Sequence, residues 1–181
     1  MTAKNKFDTI QIQEILMPYN PWWVDGEVET ESFKRPIFHK IYKDLLSLKQ
    51  IISITGPRRV GKTTLLKQVI QSLIKDGHTK ADHVIYFSFD DPLMVDPHIR
   101  ERFFDDLIKW ADIKHKGSPT YFVLDEIQRF DRWELYLKKY YDLGFSVWFI
   151  VSGSASSPIF RKSRESLLGR IKDNHLLPFS F

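Results

Sequence analysis

The chain has 181 residues, a formal net charge of +4, 43% hydrophobic residues and no cysteine. That length suits one sizeable α/β domain and is short for two, and the absence of cysteine excludes disulfides and thiolate metal sites. No apolar run approaches the ~20 residues of a membrane span and the N-terminus is too polar for a signal peptide, so the protein reads as soluble and cytoplasmic, without a membrane partner. The small positive charge is concentrated around residues 57–62 and 161–172; it permits a nucleic-acid partner without indicating one.

Phe7, Ile10, Ile12, Ile15 and Leu16 set a weak helical pattern. Pro18-Tyr19-Asn20-Pro21-Trp22-Trp23 follows, where two prolines exclude a helix and the aromatic rings need something to cover. Residues 1–36 thus form an N-terminal arm packed on a core of residues 37–181, with the acidic stretch Asp25 to Glu31 a solvated loop. Beyond the arm, His39 to Leu48 reads as a helix and Ile51 to Ile54 as a buried strand. A helix from Lys62 ends at Gly77, and His83 to Phe89 is a second strand, followed by Asp90 and Asp91. Pro97 to Ile113 is helical, Tyr121 to Leu124 a third strand, and Trp133 to Leu143 a helix capped by Asp131. Ser146 to Val151, a fourth strand, runs into Ser152-Gly153-Ser154. Strands alternating with helices imply a parallel sheet covered on both faces. The apolar ending, Leu176 to Phe181, suggests a fragment of a longer protein.

The chain is organised around Gly56-Pro57-Arg58-Arg59-Val60-Gly61-Lys62-Thr63-Thr64, which has the spacing of a phosphate-binding loop between a strand and a helix. Gly56 and Gly61 permit backbone angles that let successive N–H groups converge on phosphate oxygens, and the helix starting near Lys62 adds the positive end of its dipole. Lys62 is placed to reach the β- and γ-phosphates, and the Thr63 hydroxyl to ligate Mg²⁺. Trp22 and Trp23 either staple the arm to the core or cap an adenine beside this loop.

Tyr121-Phe122-Val123-Leu124-Asp125-Glu126 is an apolar strand ending in two carboxylates, the Walker B pattern. Asp125 would organise the Mg²⁺ shell, and Glu126 would orient and deprotonate an attacking water. Ser154, after the next strand, is either a sensor of the γ-phosphate or an ordinary helix-capping turn residue. Arg161, Arg164 and Arg170 are candidate cations for transition-state charge, with solvated helix faces the plainer reading for the first two. Histidines 39, 78, 83, 98, 115 and 175 have no metal-ligand spacing and receive no role.

Gly-Pro-Arg-Arg-Val-Gly-Lys-Thr-Thr-Leu-Leu, Tyr-Phe-Ser-Phe-Asp-Asp, Leu-Asp-Glu-Ile-Gln, Ser-Gly-Ser-Ala-Ser, Leu-Leu-Gly-Arg and Leu-Pro-Phe-Ser-Phe occur in that order. Together they resemble the prokaryotic AAA-type ATPases of the AAA_14 group (DUF4143-associated), close to the archaeal STAND-like ATPases. The resemblance implies a three-layer AAA+ core with five parallel strands in the order 5-1-4-3-2, and Leu176 to Phe181 as the fifth strand. It implies a γ-phosphate role for Arg170, and a water- or metal-directed role for Asp90 and Asp91. The expected function is Mg²⁺-dependent ATP binding and hydrolysis driving a switch toward an unidentified protein partner or a second copy of the chain. A DNA-associated motor or loader is the alternative. A small-molecule kinase is disfavoured because Glu126 points to water as acceptor.

Overall fold

The computed structural model describes residues 6–154 and 166–178. Five parallel strands form one sheet: β1 (Ile51–Gly56), β2 (Val84–Ser88), β3 (Thr120–Asp125), β4 (Val147–Ser154) and β5 (Ile171–His175). Their order is β2-β3-β4-β1-β5, the expected 5-1-4-3-2 read from the other edge. β1 and β3 are buried at every position, as the central strands of a sheet covered on both faces must be.

Alternation along the strands divides the core in two. Phe122 and Leu124 of β3 face α1 (Thr9–Leu16), α5 (Pro97–Lys114) and α6 (Trp133–Asp142), in a layer dense with Phe87, Phe103, Phe104 and Phe149. Tyr121 and Val123 face the other way, toward α3 (Pro36–Ser47) and α4 (Lys62–Lys75), with Ile52, Ile54, Leu66, Val69 and Ile70. The sheet is therefore the middle of three layers.

Four local expectations are corrected. Pro18 to Trp23 does contain helical turns: a 3₁₀ turn at Met17–Tyr19 and one short helix, α2 (Trp22–Asp25), because its prolines fall at turn starts where a missing N–H costs nothing. Helix α3 starts at Pro36, earlier than His39, for the same reason. Asp131 does not cap α6; Arg132 holds that place in a left-handed conformation, φ 55°, without a side-chain cap. The fifth strand is Ile171–His175, one segment earlier than Leu176 to Phe181. Leu176–Pro178 are not in a strand, and residues 179–181 lie outside the described residues. The polar run Ile-Lys-Asp-Asn-His disguised β5, because an edge strand need bury only part of itself.

The arm is spent on the opposite edge of the sheet. Buried Asn20 accepts the Tyr86 N–H at 2.7 Å and donates to the Tyr86 carbonyl at 2.9 Å, so one side chain satisfies both outward backbone groups of a β2 residue. The same amide donates to Leu16 O at 2.7 Å, closing the end of α1. Both indole N–H groups, of Trp22 and Trp23, donate to the carbonyl of Val84.

Candidate active site

Parallel strands deliver their C-terminal ends to one crevice, and β1, β3 and β4 end there together. Gly56 closes β1; residues 57–60 form the loop; Gly61, at φ 95°, is the N-cap of α4, and Lys62 and Thr63 are its first residues. The two glycines have different duties. Gly61 needs its left-handed backbone, whereas Gly56 has no positive φ and is required for close approach: a Cβ there would lie 2.5 Å from Leu176 O. Arg58 and Arg59 are exposed on the loop, Arg59 at φ 62°, Val60 is half-buried, and Thr64 is half-buried on α4.

Lys62 is 6% exposed, and its ammonium donates to the carbonyls of Pro57 at 2.9 Å and Gly56 at 3.2 Å. The cation is thereby held inside the loop that the α4 N–H groups face. Thr63 donates its hydroxyl to Asp125 Oδ2 at 2.7 Å across 62 residues of sequence. This contact joins the two motifs.

Asp125, 3% exposed, is the acceptor hub of the site. Besides Thr63, the Tyr86 hydroxyl donates to Oδ2 at 3.0 Å, the Glu126 N–H to Oδ1 at 3.0 Å, and the Ser152 hydroxyl to Oδ1. Burial first, and then the charge of Asp125, push the Tyr86 phenol well above its ordinary value, so it stays a proton donor throughout the physiological range. Tyr86 was missed because nothing in sequence separates it from an ordinary strand residue, and Ser152, in the stretch expected to face the crevice, was passed over for Ser154; the useful signal was their place near the C-terminal ends of β2 and β4, beside Asp125.

Glu126 begins the turn after β3 in a left-handed conformation, φ 51°, that turns its half-buried side chain away from the strand direction. Its carboxylate accepts a hydrogen bond from the Gln128 amide, two residues on. Gln128 was present in the motif string but received no role. Ser154 ends β4 in register with Gly56, which sets it beside the phosphate loop.

One other expectation does not fit. Arg170 precedes β5 and its carbonyl accepts the N–H of Ile51, the first residue of β1. It therefore lies at the N-terminal end of the sheet, about 17 Å from Gly56 for five residues of ~3.3 Å rise, and pairs with Asp142 at 2.8 and 3.3 Å. It does not meet the phosphate loop of its own chain, because the strand it leads into runs toward that loop and not away from it. Trp22 and Trp23 both staple the arm to the start of β2 through Val84 O, and Trp22 also lines a cavity that it shares with Thr63, Lys67 and Tyr86. Asp91 accepts the Tyr19 hydroxyl and caps the turn at Leu93, while Asp90 pairs with Arg129 at 2.9 Å. Arg161 and Arg164 lie outside the described residues.

Among the described residues, no helix is long and apolar enough to cross a membrane. A family model, AAA_14, described as an AAA domain, matches residues 48–181. Uncharacterized protein MJ1544 of Methanocaldococcus jannaschii is 32% identical over 128 residues, 71% of this chain and 26% of that protein, so the chain spans about a quarter of this curated relative. Of solved structures, PCH-2 of C. elegans superposes with a TM-score of 0.51 at 14% identity, covering 96% of this chain and 44% of its own. Hsp104 of S. cerevisiae, in an extended-conformation complex with casein, does so with a TM-score of 0.56 at 16% identity, covering 89% and 29%. At such identities these likenesses concern the fold, which is that of AAA+ P-loop proteins. The chain belongs to the AAA_14 family, and its core is an AAA-type P-loop ATPase domain.

Proposed function

We propose that this chain binds ATP with Mg²⁺, hydrolyses it to ADP and phosphate, and uses the nucleotide state as a switch. The observation that carries the proposal is the 2.7 Å contact between Thr63 and Asp125 beside the phosphate loop. The donor set fits the ion: a hydroxyl and a carboxylate are the hard oxygen ligands Mg²⁺ prefers, and no thiolate or imidazole is among them. Thr63 would ligate the ion and Asp125 would hold its shell, and the charge neutralisation it supplies acts on the β- and γ-phosphates. Lys62 binds the same oxygens, with the loop N–H groups from Gly56 to Thr64, Pro57 excepted because it has none. Glu126 takes the proton of the attacking water as the bond to the leaving ADP oxygen breaks, held in position by Gln128. Ser154 contacts the γ-phosphate or the water from the end of β4.

The switch reading has its own support. Arg35 donates to Val60 O in the phosphate loop at 3.1 Å and to Leu177 O beyond β5 at 2.5 Å. Leu176 N–H donates to Thr55 O at 2.7 Å, directly beneath the loop. A shift of the loop on losing the γ-phosphate therefore pulls on the chain that leaves β5. The unidentified protein partner, or the second copy, would read that movement.

The test is phosphate release from Mg-ATP by the wild type and Glu126→Gln, with nucleotide binding measured in parallel and each assay repeated with DNA. Wild-type turnover that the variant loses while still binding ATP supports the assignment. Failure of both proteins to bind ATP refutes it, and turnover that appears only with DNA favours the motor reading over the switch.

A further inference from the structure

At the N-terminal end of the sheet, away from the phosphate loop, the fold brings together three residues that sequence spacing left unconnected. Asp82 and His83 enter β2, and His115 follows the last turn of α5. One potential ligand atom from each lies within 4.8 Å of the others. The imidazoles of His83 and His115 are stacked, with centroids 4.0 Å apart and planes 17° apart.

The hydrogen bonds behind the rings decide which nitrogens are available. His83 Nδ1 lies 3.0 Å from Pro119 O, which can only accept, so Nδ1 carries the proton and Nε2 keeps a lone pair. His115 Nδ1 lies 2.7 Å from Thr120 Oγ1, whose own hydrogen is directed to Ser118 O at 3.4 Å. In the tautomer that donates Nδ1–H to that hydroxyl, His115 Nε2 also keeps a lone pair. That Nε2 is buried and has no hydrogen-bond partner, on a residue only 5% exposed. A ring N–H anchored to a carbonyl or hydroxyl with the other nitrogen left bare is how metal-binding histidines are held.

We propose that Asp82, His83 and His115 bind one Zn²⁺ ion, with water completing a four-coordinate shell. Ligand bonds of about 2.0–2.1 Å set donor atoms about 3.3 Å apart, so the site closes when half-buried His83 turns out of its stack on buried His115 and the two in-plane lone pairs converge, with half-buried Asp82 rotating to meet them. Among the described residues, Lys114, now 3.9 Å from Asp82, is the cation paired with the site; it also lies over the rings of Trp23 and Trp110 and keeps those contacts when Asp82 turns to the ion. Two imidazoles favour zinc over magnesium, and the oxygen-only phosphate site has the reverse preference. The ion would tie the entry of β2 to the end of α5 beneath the arm.

The test uses the full chain without an affinity tag, stripped of metal and kept in excess Mg²⁺ so that oxygen-only sites are occupied. Calorimetric titration with Zn²⁺ should give one ion per chain, and Tm should rise by roughly 5–10 °C at one hundred times Kd. Co²⁺ in place of Zn²⁺ should give the intense visible absorption of a four-coordinate site. His83→Ala and Asp82→Asn, at positions that are not buried, should leave the metal-free Tm nearly unchanged and abolish the Zn²⁺-dependent rise. No binding by the wild type, a weak six-coordinate Co²⁺ spectrum, or an undiminished Tm rise in both variants would each overturn the proposal.

Discussion

Gly56→Ala tests the packing beneath the phosphate loop most directly. Gly56 has an ordinary negative φ, so alanine meets no torsional objection. The obstacle is spatial: the new Cβ would stand 2.5 Å from Leu176 O and 3.1 Å from Val60 Cγ1. The carbonyl belongs to backbone held by the 2.7 Å bond from Leu176 N to Thr55 O, so it cannot rotate aside. Relieving the clash requires a shift of at least half an ångström. Overpacking of this kind costs about 1–3 kcal/mol, and weakening the Leu176–Thr55 bond adds about 0.5–1.5 kcal/mol, for roughly 2–4 kcal/mol in all. Urea unfolding measures it, with the slope watched for any loss of two-state behaviour. Gly61→Ala is the informative comparison. Its Cβ would meet nothing within 4 Å, but φ 95° forbids it, so its cost of about 1–3 kcal/mol is torsional. Shortening Val60 to alanine should not rescue Gly56→Ala, because the Leu176 carbonyl is the harder contact. A Gly56→Ala protein within 0.5 kcal/mol of the wild type would refute the reasoning.

Three further outcomes are expected. Asn20→Ala leaves the Tyr86 N–H and C=O and the Leu16 C=O without their partner, and should cost about 2–4 kcal/mol in urea unfolding; a loss under 1 kcal/mol would show that water replaces the amide. Lys62→Ala should weaken ATP binding at least about tenfold in a fluorescence titration while changing Tm by no more than a few degrees, since the ammonium bonds only to loop carbonyls. His115 has its pKa pushed down to about 4, mainly by burial, against an ordinary value of 6.5. The unfolded chain therefore takes up the proton first as pH falls. The stability His115 contributes is complete above pH ~6.5 and is lost as pH falls toward 4, at up to ~1.4 kcal/mol per pH unit. In protein freed of metal by a chelator, that component of the slope should be missing from His115→Gln.

Sequence carried the site further than the periphery. A phosphate loop needs glycines, a lysine and a threonine at fixed spacing, and a buried strand announces Asp125 and Glu126 by its apolar run, so Thr63 and Asp125 could be placed together before any coordinates. Gly56 was expected to supply an unusual backbone angle, whereas the structure needs it for close approach to Leu176, a segment 120 residues away that no local pattern reveals. Strand β5 escaped notice for a physical reason: Lys172, Asp173 and His175 are polar because an edge is wet, and period-2 hydrophobicity vanishes there. Arg170 was misplaced along with it, since the end of the sheet it occupies depends on where β5 begins. The Asp125 partners Tyr86 and Ser152 arise from strand pairing, and the His83–His115 stack from the end of α5 packing against the entry to β2; no local pattern encodes either.

The two borders of the sheet are protected by different means. β5 protects itself, with charged side chains that discourage any further strand from joining it. β2 is apolar and would offer bare N–H and C=O groups to any passing chain, and its protection is borrowed from Asn20, Trp22 and Trp23. Those three residues precede residue 48, where the family match begins. The packed structure thus extends beyond the matched region. A relative that lacks an Asn-Pro-Trp-Trp element upstream must shield the same border by other means. Trimming this protein to its matched region would expose a strand template whatever the condition of its nucleotide site.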